Sequence, residues 1–240
     1  MKHFRPRLSR RAFWVLCALL VCLRLALTGF QQAYIWVGGA PLDDELMFRA
    51  ANNITAGQWL GAYDYLTLSK AMFFPVWLAL LHALHLPYLI SGAALWCGAA
   101  LLAAFAFSPL WRKKDPAQGR VLTLGLFAAL AFLPSSWAAY TLRVYRDNIF
   151  PALCLYFFAG MAGMALRAVL TPEKPLWPWL AAAGAGLACG YLDREDAGLF
   201  LLPFAAAATV IVAVVLVGKR RWKALAAQVI PYVMLGVGVL

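Results

Sequence analysis

Charge is scarce in this 240-residue chain. Only 13% of its residues are Asp, Glu, Lys or Arg, where a soluble domain carries about 25%. Acids are scarcer still, ten against 21 Lys and Arg, while hydrophobic residues make up 64%. With a mean hydropathy of +0.76, this composition excludes an ordinary soluble core. Repeated apolar runs of about twenty residues place the chain in a bilayer. Cysteine is sparse too. Cys17, Cys22, Cys97, Cys154 and Cys189 all fall within apolar stretches and lack metal-ligand spacing, so none is assigned a disulfide, metal or catalytic role. Repeats and low-complexity segments are absent.

What is present is a basic balance, with a formal net charge of +11 and a sequence pI near 9.7. In a soluble protein that would raise nucleic acid as a partner. Here the basic residues sit in short links between apolar runs, so the charge sets topology and no nucleic-acid partner is expected. "MKHFRPRLSRR" is basic and precedes "AFWVLCALLVCLRLALTGF", residues 12–30. That run is too long for a signal-peptide core and carries Arg24, so it reads as an uncleaved first span with a cytoplasmic N-terminus. Residues 31–87 follow as an outer loop. It holds a candidate amphipathic helix from "ELMFRAANNITAG" and a second interfacial helix in "FFPVWLALLHALHL", too short to cross about 30 Å of hydrocarbon. Residues 88–240 supply the remaining spans, and the fold class expected is all-α: a polytopic helical membrane protein of about seven spans in one transmembrane domain. The chain stops within its last apolar run, "ALAAQVIPYVMLGVGVL", as a C-terminally truncated domain would.

The orientation can be checked on the charges. Arg5, Arg10, Arg11, Arg112, Lys113, Lys114, Arg120, Arg167 and "GKRRWK" fall on the cytoplasmic side. Arg49, Lys70, Arg143, Arg146 and Arg194 fall on the other. The positive-inside rule ignores acids, which therefore carry independent information. Asp43, Asp44, Glu45, Asp64, Asp147, Asp193, Glu195 and Asp196 all lie outside. Three separated loops thus bring carboxylates to one face.

Within "DDEL", one Asp can cap the helix that follows, and Glu45 suits its dipole. The second Asp is left over for general-base chemistry or cation binding. "TLRVYRDN" and "YLDRED" place Arg143, Arg146, Asp147, Arg194 and Glu195 at the ends of spans on the same face. Such residues pair or snorkel at a membrane boundary. They also have the chemistry to grip a phosphate, since the planar guanidinium binds phosphate oxygens in pairs. Lys70 is a further candidate for an anionic head. His82 and His85 share a helix face, but two histidines do not make a metal site. "GLACG", Gly186 to Gly190, has small-xxx-small spacing and reads as helix packing.

These residues resemble a family. "DDELMFRAANNITAGQWLGAYDYLTLSKAMFFPVWLAL" is similar to the acid, helix, G-x-W/L, Lys and Pro order found in the first outer loop of GT-C class membrane glycosyltransferases. The branch it most resembles is that of the protein O-mannosyltransferases, the aminoarabinose transferases and the bacterial Rgt-like domains. "YLDRED" resembles an R-E-[DE] element in a later outer loop. The sharp motif covers about residues 42 to 80. The resemblance implies transfer of a sugar from a polyprenyl-phosphate donor to an acceptor at the outer, periplasmic face of the plasma membrane. It implies Asp43 or Asp44 as catalytic base, with Glu45, Lys70, Arg143, Arg146, Asp147, Arg194 and Glu195 as the substrate-binding set. Branches of the family differ in using a divalent cation, so the metal stays open. Members usually carry more spans, so a second chain is a further expected partner besides the donor and membrane lipid. Two other classes remain in play: a transporter or flippase of a lipid-linked or anionic substrate, and a non-catalytic membrane subunit.

Overall fold

The computed structural model describes residues 7–35, 41–59, 61–62, 70–112, 115–171 and 173–239. Every regular element among them is helical. The β-type pairing among them is a parallel bridge between Tyr34 and Arg143. In chain order the α-helices are α1 (Arg10–Thr28), α2 (Pro41–Thr55), α3 (Phe73–Ala83), α4 (Tyr88–Phe107), α5 (Pro109–Arg112), α6 (Pro116–Ala131), α7 (Phe150–Leu170), α8 (Trp177–Asp193), α9 (Gly198–Gly218), α10 (Trp222–Ala227) and α11 (Ile230–Val239). The fold class is all-α, as the sequence predicts.

Local chemistry sets the helix boundaries. Ser9 opens α1, its hydroxyl accepting from the Ala12 N–H at 3.1 Å. Asp115 opens α6, accepting from the N–H groups of Ala117 and Gln118 at 2.9 and 3.3 Å. Pro116 then sits in the first turn, where a missing N–H costs nothing. The sequence predicts an apolar crossing that continues to Tyr140, but α6 stops at Ala131. Pro134 cannot continue a helix and disfavours helical backbone in the residue before it. The chain breaks into three short 3-10 turns, Pro134–Trp137, Ala139–Leu142 and Arg146–Asn148.

Among the described residues, five segments are long and apolar enough to cross a membrane: Arg10–Thr28, Tyr88–Trp111, Phe150–Leu170, Glu195–Gly218 and Trp222–Val239. Helices α6 and α8, at 16 and 17 residues, are shorter. Helix α3, at 11 residues, is a short apolar helix of the kind the sequence predicts for an interface.

Two apolar clusters build the bundle. Phe13, Cys17, Cys97, Ala100, Phe127 and Ala131 join α1, α4 and α6. Phe157, Met164, Leu180, Leu187, Leu201 and Leu216 join α7, α8 and α9. Between α7 and α8 the backbones nearly touch. A Cβ on Gly186 would lie 2.4 Å from the Phe157 nitrogen, and one on Gly160 would lie 2.5 Å from the Ala183 nitrogen. Only glycine permits that approach; of the "GLACG" pair Gly186 makes it, whereas a Cβ on Gly190 would meet the Leu201 side chain at 3.3 Å. A third cluster, with Met47, Phe74, Val144, Tyr145, Ile149 and Leu153, seats α2 and α3 on one end of α7. That end also gathers the acids.

Candidate functional site

Helix α2 begins at Pro41, so Asp43 and Asp44 lie in its first turn and neither is the cap residue that the sequence reading assigns. Carboxylates there still complement the positive end of the helix dipole. Successive residues on a helix point about 100° apart, and the two neighbours therefore meet different surroundings.

Asp44 is fully buried. Arg143 clamps it, with Nε 3.1 Å from both carboxylate oxygens and Nη2 also donating to Oδ1. The hydrogen bond to Asp44 holds the Arg143 guanidinium above its already high ordinary value. Arg143 is itself fixed by its backbone: Tyr34 donates to the Leu142 carbonyl at 3.1 Å, Val144 donates to the Tyr34 carbonyl at 2.9 Å, and the Tyr88 hydroxyl donates to the Arg143 carbonyl at 2.9 Å.

Asp43 is more open to solvent. Its side chain is 36% exposed, and Lys70, 30% exposed, lies 3.3 Å from Oδ2. The Tyr145 hydroxyl donates to the same oxygen at 3.2 Å and accepts from Arg146 Nη2 at 3.0 Å. Arg146 in turn donates to Glu195 Oε2 and to the Asp193 carbonyl, both at 3.1 Å. The ring closes through Glu195 Oε1, which accepts from the N–H of Ala71, the residue after Lys70. Outside this ring Arg194 holds Asp147 and Asp196, each at 3.2 Å.

Sequence-distant segments thus meet here, and eight of the nine predicted site residues join the network. Glu45 does not. It is exposed and makes no ion pair or hydrogen bond among the described residues, because one step along the helix turns it away from the ring. The fate of the cations also differs from a simple phosphate grip. Lys70, Arg143, Arg146 and Arg194 face the carboxylates of Asp43, Asp44, Asp147, Glu195 and Asp196, so each is already balanced. Asp64 lies outside the described residues.

Two members escaped the sequence reading. Tyr145, 8% exposed, links Asp43 to Arg146 and lies beneath both guanidiniums, 4.5 Å from Arg143 and 5.2 Å from Arg146. Its position between two arginines in "LRVYRDN" was the available signal. Asp193, the last residue of α8, is fully buried, and neither carboxylate oxygen is bonded among the described residues. Burial pushes its carboxyl well above the usual carboxylate range, against the pull of Arg146 and Arg194. Nothing in the sequence separates it from Asp196.

Beside the ring, an apolar cleft runs between α2 and α3, lined by Phe48, Ala51, Leu78, Leu81, His82 and Tyr88. His82 and His85 stand with ring centroids 6.4 Å apart. No group of three His, Cys, Asp or Glu side chains comes together to hold a metal ion among the described residues. A scan against family models gives no match to the chain, and searches of curated proteins and of solved structures give none.

Proposed function

We propose that the chain is the membrane domain of a GT-C-like glycosyltransferase that moves a sugar from a polyprenyl-phosphate donor to an acceptor hydroxyl. In this reading α6 and α8 complete seven crossings of the plasma membrane, the N-terminus is cytoplasmic, and the acidic end faces outward. The observation that carries it is the division of labour between two adjacent acids. Asp44 is sealed under Arg143, whereas Asp43 is partly exposed and held by one partly exposed cation, Lys70, and one phenol, Tyr145.

That arrangement supports a specific exchange. A partly exposed Lys–Asp pair contributes only about 0.2–1 kcal/mol, so a donor phosphate can draw Lys70 away from Asp43. The freed carboxylate then takes the proton of the acceptor hydroxyl as general base. The hydroxyl oxygen bonds to the sugar's anomeric carbon, the bond from that carbon to the phosphate oxygen breaks, and the departing electron pair stays on the phosphate beside Lys70. The cleft between α2 and α3, whose Phe48, Leu78, Tyr88 and Val144 belong to the same apolar cluster as Tyr145, offers a seat for the polyprenyl chain. Arg143, Arg146 and Arg194 keep the ring in shape; in this account they position the site and do not carry the phosphate.

The test is label incorporation from polyprenyl-phosphate sugars into membranes holding the chain. Transfer by the unmutated chain, reduced in Lys70→Met with a raised donor KM, is the expected result. No transfer by the unmutated chain, with any companion chain of further spans supplied, sinks the reading.

A further inference from the structure

A second polar site lies across the 134–148 segment from the ring and owes nothing to the carboxylates. Arg24 sits in α1 and is 3% exposed. Its guanidinium lies 3.4 Å above the Trp137 ring, and Nη2 donates to the Ser136 carbonyl at 2.8 Å. Nε and Nη1 are buried and have no hydrogen-bond partner among the described residues. A guanidinium cannot give up its charge, and buried donors without acceptors are costly. Trp137 offsets part of the charge and satisfies neither N–H.

Arg24 lines a small, half-open cleft of about 40 Å³ with Gln31, Trp96, Ser135, Tyr140 and Asn148. No Asp or Glu lines it. Asn148 belongs to the lining of the same cleft; its amide nitrogen donates to the Thr141 carbonyl at 2.7 Å, which leaves its oxygen Oδ1 buried and unbonded among the described residues. The amide is locked against Gly92, where a Cβ would lie 2.1 Å from Oδ1. One wall therefore lacks an anion and the other lacks a donor.

We infer that the cleft binds a phosphate ester that also carries a free hydroxyl, the phosphate on Arg24 and the hydroxyl donating to Asn148. A glycerol-phosphate headgroup of a membrane lipid has this chemistry, and so does a soluble glycerol or sugar phosphate. The inference stands apart from the transfer reaction, because its readout is binding.

The experiment is native mass spectrometry of the full chain in detergent, titrated with phosphatidylglycerol and with phosphatidylcholine, whose headgroup has no hydroxyl. The expected result is at least tenfold tighter binding of phosphatidylglycerol. Arg24→Gln abolishes that preference, while Arg220→Gln at the opposite, basic end leaves it. Where Arg24→Gln fails to fold, Gln31→Glu decides, since a carboxylate at the cleft mouth repels the phosphate and lowers the preference. Soluble glycerol 3-phosphate competes if the natural ligand is a free ester and fails to compete if it is a lipid; either result supports the site. Equal binding of the two lipids, or a preference that survives in folded Arg24→Gln or in Gln31→Glu, overturns it.

Discussion

The two ends of the helical bundle balance positive charge in different ways. At the acidic end Lys70, Arg143, Arg146 and Arg194 are matched by carboxylates. At the basic end the matching is done by helix carbonyls. Arg167 donates to Phe105 and Ala106 at the end of α4 and to Gly163 in its own helix, at 3.0 to 3.3 Å, with its guanidinium 3.7 Å over Trp179. Lys219 donates to the Ala168 and Val169 carbonyls, both at 2.9 Å. The carbonyls of Phe105, Ala106, Ala168 and Val169 lie in the last turns of α4 and α7, the negative ends of those helices. A cation there completes a helix and has no further business. A cation paired with a side-chain carboxylate can exchange its partner, and where the pair is open to solvent, exchange is cheap. The ends thus differ in what they can do: one is architecture, the other holds an ionic ring with one loose link.

Breaking the tight link at the acidic end has the largest expected effect. Arg143→Met takes the guanidinium from the buried Asp44 carboxylate and lowers stability by about 3–5 kcal/mol. The double variant Asp44→Leu/Arg143→Met recovers most of that loss. Thermal unfolding of the solubilised chain, read by size-exclusion chromatography, distinguishes the two. At the basic end, Arg167→Met removes its donors from the Phe105 and Ala106 carbonyls and costs about 1–3 kcal/mol in the same assay, with no effect on any activity beyond the loss of folded protein.

A smaller effect separates Asp193 from the paired acids. Its carboxyl is held above its unfolded value by burial, so the folded state binds this proton more tightly than the unfolded one. The stabilisation from that site is full below the unfolded value of about 3.9 and is lost as pH rises through the folded one. Asp193→Asn flattens the fall of melting temperature with rising pH. An unchanged slope contradicts the assignment. The smallest effect on stability is expected at the loose link: Lys70→Met or Asp43→Asn shifts it by less than about 1 kcal/mol.

Much of the helical layout is legible in the sequence, because apolar length and boundary residues are local. The first span predicted over 12–30 is seen at Arg10–Thr28, and "FFPVWLALLHALHL" forms the short helix α3. The run to Tyr140 misled because apolar composition masked Pro134. The gathering of acids and arginines at one end is legible from the order of the links between spans. Its pairing is not. Arg143 and Asp44 are 99 residues apart in sequence, and Arg146 and Glu195 are 49 apart. Only the packing of α2, α7 and α8 selects which cation reaches which acid. The same packing distinguishes Asp43 from Asp44, identical residues in adjacent positions. Arg24 is recognisable in the sequence as a charge within a span and without an acidic partner, whereas the Trp137 ring beneath it comes from a turn that the sequence reads as part of a crossing.

The most direct test of the account is sugar transfer by Asp43→Asn at matched amounts of folded protein. The account predicts an unfolding temperature near that of the unmutated chain together with loss of transfer by about 10²–10⁴-fold, the usual contribution of a general base. Transfer retained by Asp43→Asn, or lost only in proportion to folded protein, contradicts it.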